Sequence, residues 1–190
     1  MDRVDGRRRR GEDNRARIVQ AMLELIRIGD YSPSAEQVAA KAAVSLRTVF
    51  RHFDDMDSLY REIARPVETE LRELALRPLV AADWRGRVLE LVERRSGAFE
   101  SLIPFRRAAN VHRHRSGEVV AGANRFAMAL REILRHTLPE PLRQGEAFEA
   151  ADLLMSIEAW MRLREEQALT VDQAKQVVAG AVLRLLHHDD

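Results

Sequence analysis

Cysteine is absent from this 190-residue chain, which excludes disulfides and thiolate metal sites from its chemistry. Long apolar runs are missing as well. No stretch of 18 uncharged apolar residues occurs, and the charged N-terminus is not followed by an apolar segment, so neither a transmembrane span nor a signal peptide is expected. The spacing-dependent signatures of catalysis are also lacking: no nucleophile elbow, no phosphate-cradling glycine loop and no HExxH, with carboxylates scattered over solvent faces. An enzyme is therefore not expected, and neither is a cofactor. Lysine is nearly absent: Lys41 and Lys175 are the only two, so arginine carries the positive charge. Internal repeats and low-complexity linkers are not found. What these absences leave is a cytoplasmic protein with no membrane partner, long enough for one large or two small domains.

The segment 34–53, SAEQVAAKAAVSLRTVFRHF, is the most informative stretch present. Ser34 and Gln37 form a capping-box pair that starts a short helix. Val38, Ala39 and Ala42 then give it a small apolar face that a second helix can cross closely. Ser45 is a good N-cap for that second helix, and Val49 with Phe53 makes an i, i+4 pair facing inward. Ala43-Val44 is the corner, with Val44 as its buried plug. Outward residues of the second helix are Leu46, Arg47, Phe50, Arg51 and His52, with Thr48 near its start. Such a helix can approach base edges with its first residues while cationic side chains take phosphates.

The flanks strengthen this reading. Residues 14–28 predict a bracing helix with Ile18, Met22, Leu25 and Ile26 on one stripe, Val19 and Ile28 beside it, and Gly29-Asp30 as its end. Residues 55–65 predict a fourth helix, capped by Asp55, with Met56, Leu59, Tyr60 and Ile63 inward and Pro66 as a break. Upstream, residues 1–13 read as a disordered basic arm. Up to position 17 there are seven arginines (Arg3, Arg7, Arg8, Arg9, Arg10, Arg15, Arg17) against Asp2, Asp5, Glu12 and Asp13, an excess of three in a chain whose net charge is +1. Arg7 to Arg10 suit a solvated terminus, and equally an arm that follows phosphates or enters a minor groove once DNA is present.

The run from about Arg15 to Ile63 resembles the N-terminal DNA-binding domain of the TetR family of transcriptional repressors. The matching signature is Val38-Ala39, Val44-Ser45, Thr48-Val49-Phe50, His52-Phe53 and Leu59. The resemblance implies that Leu46, Arg47 and Thr48 lie closest to bases, that Phe50 contacts DNA and that His52 touches a phosphate; Ser34 and Ser45 join them at the helix starts. Three residues depart from the family pattern. Ala43 replaces the usual glycine at the turn, Phe50 lacks the hydroxyl of the usual tyrosine, and Met56 stands where a phosphate-binding lysine is common. Arg47 is the candidate for bidentate readout of guanine, and Phe50 for contact with a thymine methyl.

From Val67 onward helix follows helix, with breaks expected at Pro78, Pro104, Gly117, the Pro139–Pro141 pair and Gly145. The fold class is all-α: a helix-turn-helix domain over 14–65, then a helical bundle over 66–190 for effector binding and dimerisation. Residues 83–102, 105–109 and 118–137 carry apolar stripes. Residues 146–168 are apolar over much of their circumference, and a Thr170–Gln173 capping box opens a last helix of similar character. Such helices need two partners, one of which can be a second copy; the alternative is that they form the centre of a monomeric core. The predicted homodimer interface is Phe148, Leu153, Met155, Ile157, Trp160, Val178, Val182 and Leu185. TetR resemblance implies the same: a four-helix bundle of the last two helices, gripping half-sites about 34 Å apart on palindromic double-stranded DNA.

An unknown small-molecule effector is the other implied partner. Polar residues on apolar stripes, Arg95, Asn110 and His112, lie near Phe99, Phe105 and Phe126, which makes these six the candidate pocket. A buried Arg95 needs a partner, either a ligand carboxylate or a local glutamate. His112 and His114 are two apart and project to different sides of a helix, so no metal site is expected. His187-His188-Asp189-Asp190 reads as a frayed tail. The competing function is a non-specific nucleic-acid-binding protein or a protein-interaction adaptor of the same fold.

Overall fold

The computed structural model describes residues 2–63, 69, 77–112 and 117–187, with side chains throughout except those of 2–10, 112, 117–120 and 123. Among the described residues every regular element is helical. They are α1 (Asp2–Arg27), α2 (Ala35–Lys41), α3 (Leu46–His52), α4 (56–63), α5 (Trp84–His112), α6 (Gly117–Thr137), α7 (Glu146–Leu154), α8 (Ile157–Met161) and α9 (Val171–Leu185). They fall into two compact units, Met1–Thr69 with Pro104–Gly122 and Glu70–Ile103 with Ala123–Asp190. The expected break at Pro66 lies outside the described residues.

The first unit has one apolar core. Ile18, Met22, Leu23 and Ile26 of α1 meet Val38, Ala39 and Ala42 of α2, Val49 and Phe53 around α3, and Leu59, Tyr60 and Ile63 of α4. Ala108 joins them, with Phe105 and Met56 packed at the margin. Each fully buried aliphatic side chain here contributes about 1.5–3 kcal/mol relative to exposure. Ile28, expected beside the stripe, is exposed, because α1 has already ended. Gly29 adopts φ 99°, its amide bonds Ile26 O and the Asp30 amide bonds Leu25 O, a Schellman ending.

At its other end α1 differs from expectation. It begins at Asp2 and so includes the segment read as a disordered arm. Extending a helix already nucleated by core contacts is much easier than starting one, and arginine is a good helix former.

The second unit packs α5 up to Ile103, α6 from Ala123, and α7 to α9. Its buried residues include Val88, Val92, Phe99, Leu134, Phe148, Ala151, Trp160, Val178 and Val182. The expected break at Pro104 is not one: α5 runs through it to His112. Pro104 has no amide to offer Glu100 and crowds that carbonyl, yet Leu102 and Ala108 on either side are both buried, which holds the helix together. The boundary between the two units falls at this proline.

The single helix expected over 146–168 is instead three short pieces. α7 stops at Leu154; Ser156 then acts as N-cap of α8, its Oγ accepting from the Ala159 amide at 3.2 Å and donating to Leu153 O at 2.7 Å. A π-helical turn, Arg162–Glu166, follows, and Ala168 closes it with φ 54°. A serine inside an apolar helix was the available signal. The Thr170–Gln173 capping box is present as expected.

Candidate nucleic-acid interface

The turn between α2 and α3 is built as its residues dictate. Ser34 accepts from the Gln37 amide while Gln37 Oε1 accepts from the Ser34 amide at 2.7 Å, the full capping box. Gln37 is further tied to Asp30 at 2.8 Å. Ala43 takes φ 52°, with its amide on Ala40 O and the Val44 amide on Ala39 O. The corner is therefore left-handed despite the missing glycine, which strains an alanine. Arg17 of α1 stabilises it from outside: Nη2 donates to Ala42 O at 2.5 Å and Ala43 O at 3.1 Å. In the sequence Arg17 reads only as part of the basic arm. No local pattern pairs a helix arginine with carbonyls 25 residues on.

Ser45 caps α3, accepting from the Thr48 amide at 3.2 Å. Its Oγ lies 2.9 Å from Thr48 Oγ1, so both hydroxyls are engaged locally while Ser45 stays exposed. Val49 points inward and is buried. Leu46, Arg47, Phe50 and Arg51 are all exposed, Phe50 at 48%. They sit at i, i+1, i+4 and i+5, hence on one face of the helix. Seven residues make a rod about 10 Å long, which suits a major groove about 12 Å wide. No acidic residue interrupts the helix, and Arg51 and His52 occupy its last turn, where cations meet the negative end.

His52 is half-buried, and its Nε2 is enclosed without a hydrogen-bond partner. Burial first, then the guanidinium charges of Arg51 and Arg15, holds its imidazole below the usual value. Arg15 is committed elsewhere: it donates to His52 O at 3.0 Å, pairs with Glu62 at 3.1 Å and stacks 4.5 Å from the Phe53 ring centre. It braces the end of α3 against α4. Met56 is partly buried against the core rather than presented outward. The side chains of Arg7, Arg8, Arg9 and Arg10 lie outside the described residues.

The expected effector residues divide. Arg95 and Phe99 line a small cavity in the second unit with Val92, Leu154, Met155 and Trp160. Phe105 instead packs on the core of the first unit, and Asn110 is exposed; neither belongs to the cavity, because both follow the point where α5 passes into the first unit. Phe126 is half-buried in the second unit, outside the cavity lining. The His112 side chain lies outside the described residues.

The expected dimer residues divide too. Phe148, Met155, Ile157, Trp160, Val178 and Val182 are buried within the chain itself, so they are core rather than outward surface. Leu153, at 68% exposure, and Leu185 do face out. Val177 is the residue that the sequence pattern did not single out on α9; with Ala181 and the expected Leu185 it makes a stripe at i, i+4 and i+8, in which Val177 and Leu185 are exposed. It runs beside the inward stripe Ala174, Val178 and Val182. Two parallel stripes of similar residues cannot be ranked by periodicity alone.

With this geometry in hand the chain can be set against known proteins. No family model matches it. It is 26% identical to the HTH-type transcriptional regulator BetI of Cronobacter sakazakii over 188 residues, 88% of this chain and 92% of that protein. Its structure is similar to that of a TetR-family transcriptional regulator from Mesorhizobium loti, with a TM-score of 0.68 at 19% identity, over 93% of this chain and 96% of that one. The chain has the TetR-family fold. A second structure of this fold is NalD, the secondary repressor of the MexAB-OprM multidrug efflux pump in Pseudomonas aeruginosa, with a TM-score of 0.57 at 22% identity, over 94% and 98% of the two chains. In TetR terms the likeness extends beyond the helix-turn-helix segment through the helical remainder, where sequence motifs are weakest.

Proposed function

We propose that this TetR-like chain is a DNA-binding transcriptional repressor that grips a palindromic operator as a homodimer and is released by a small-molecule effector. The observation that carries the reading is the outer face of α3, where Leu46, Arg47, Phe50 and Arg51 stand clear of a helix pinned by Val49 and Phe53. Arg47 reads a guanine edge, Phe50 meets a thymine methyl, and Arg51 takes a phosphate. Ser34, Ser45 and Thr48 hold the helix starts against the backbone. His52 uses Nδ1 toward a phosphate, since Nε2 is enclosed. Arg7 to Arg10 extend the footprint along the phosphates.

The working division is an arm over 1–13, a DNA-binding domain over 14–65 and an effector and dimerisation domain over 66–190. Dimerisation uses the outward residues Leu153, Val177 and Leu185, since an exposed apolar stripe on α9 beside an exposed leucine on α7 suits a second copy of the same surface. Among the described residues no helix is long and apolar enough to cross a membrane, and the protein acts in the cytoplasm.

Selection of bound sequences from a random DNA pool, followed by footprinting, tests the reading. A protected palindrome with half-sites one helical turn apart is the expected result. Salt-dependent binding without a preferred site would support the non-specific nucleic-acid-binding alternative instead.

A further inference from the structure

Arg95 is only 5% exposed, and two main-chain carbonyls hold it: Nη1 donates to Met155 O at 3.0 Å and Nη2 to Leu130 O at 2.5 Å. Its Nε is enclosed with no partner. Both acceptors are neutral, so no carboxylate is bonded to the charge. Asp152 acts on it electrostatically but is bonded to Arg131 at 2.9 Å. Burial lowers the Arg95 guanidinium to about 10, which still leaves it protonated at neutral pH. A buried cation bonded only to carbonyls, with the carboxylate that acts on it held by another arginine, is an unusual expense for a fold unless something anionic is meant to meet it.

The surroundings say what kind of anion. Val92, Phe99, Leu154, Met155 and Trp160 line the same cavity with Ser96 and Ser156, whose hydroxyls donate to Glu93 O and Leu153 O, and Trp160 is fixed by its Nε1 donating to Glu100 at 2.8 Å. The cavity is small, about 10 Å³, with room for roughly one water. A larger guest must open it. The wall beside Arg95 is the junction of α7 and α8, where the chain leaves helical geometry at Met155 and Ser156. The guanidinium holds that junction through the Met155 carbonyl.

We propose that this cavity takes a small carboxylate with an aromatic or aliphatic body, and that the carboxylate binds by drawing the Arg95 guanidinium away from Met155 O and Leu130 O. The inference rests on the reading of the chain as an effector-released regulator. A carboxylate makes charge-assisted, bidentate bonds to a guanidinium, stronger than those from neutral carbonyls, so it wins the exchange. The Met155 carbonyl then loses its donor, and the α7–α8 junction and α6 are freed to move. The ligand thus favours the open arrangement by the difference between its contacts there and in the closed one.

The test uses the full-length chain carrying Trp84→Phe, so that Trp160 is the fluorescent reporter. Benzoate, phenylacetate and hexanoate are titrated against benzamide, phenylacetamide and hexanamide. At least one carboxylate is expected to change Trp160 emission saturably, with its amide bound at least tenfold more weakly. Arg95→Met is expected to weaken that carboxylate at least tenfold and leave the amide unchanged. No saturable carboxylate, or an amide that binds equally well, overturns the proposal. If Arg95→Met does not fold, the carboxylate-to-amide ratio of the Trp84→Phe chain decides alone. Site-specific DNA binding is measured in parallel. An intact palindromic footprint with no carboxylate response refutes this inference only, whereas loss of any preferred site refutes the regulator reading beneath it.

Discussion

Ala40 and Ala43 are exposed residues three positions apart, and replacing each by glycine should change stability in opposite directions. Ala43 turns the chain between α2 and α3 at φ 52°, a conformation that crowds an L side chain against the following carbonyl by about 1–2 kcal/mol. Glycine relieves that crowding but enlarges the unfolded ensemble, an offset of about 0.4–1 kcal/mol. The balance is a gain of about 0.5–1 kcal/mol for Ala43→Gly. Ala40 lies inside α2, so Ala40→Gly should cost about 0.5–1 kcal/mol through helix propensity alone. Arg17 bonds only main-chain carbonyls at the turn, so both variants keep that brace. Urea unfolding monitored by circular dichroism gives the midpoint and slope. With a slope of about 1–3 kcal/mol/M, the two variants should separate by several tenths of a molar at unchanged slope. Ala168, also exposed and at φ 54°, should behave like Ala43. Destabilisation by Ala43→Gly, or shifts of the same sign at positions 40 and 43, would refute the argument from strain.

Arg47→Ala should weaken binding to the selected operator by about 1–3 kcal/mol and relax preference at one base pair, while random DNA is bound nearly as before; competition binding with both DNAs checks it. For His52, whose imidazole is held low in the free protein, a nearby phosphate favours the protonated ring. Binding therefore takes up a proton, and affinity should rise as pH falls from about 7.5 towards 6. His52→Gln should flatten that profile. Leu153→Glu should shift the protein towards monomer in analytical ultracentrifugation, with little loss of monomer stability because the side chain is largely exposed. Glu100 is held below the usual carboxylate range, first by the Arg164 hydrogen bonds and then by the Trp160 indole, against the opposing effect of burial. Its stabilising contribution is present above the ordinary glutamate value and is lost as pH falls through the lower folded value. Glu100→Gln should reduce the acid sensitivity of unfolding in that window.

How much of this was legible beforehand depended on the range of the interaction. The capping boxes at Ser34 and Thr170 and the glycine end of α1 involve residues within five positions of each other, and each forms as its local pattern dictates. The exposed face of α3 follows from one turn of helical spacing. By contrast, Arg15 and Arg17 look like more of the same basic arm. Only the approach of α1 to the end of α3 and to the α2–α3 turn makes one a brace and the other a cap. The effector residues were misgrouped for a similar reason. Phe99 and Phe105 share a helix, but the first faces a cavity in the second unit and the second joins the core of the first.

The amino-acid order alone determined the helical class, the helix-turn-helix segment, its capped starts and the residues its second helix turns outward, because these rest on spacing within a helix and on the bonds of its own termini. The tertiary structure decided which of two apolar stripes on α9 is core, that the helix after Gly145 breaks at Ser156, and that Arg95 is buried against the carbonyls of Met155 and Leu130. Each of those outcomes depends on which distant helix arrives to cover a face or accept a donor, and helical periodicity carries no information about that partner.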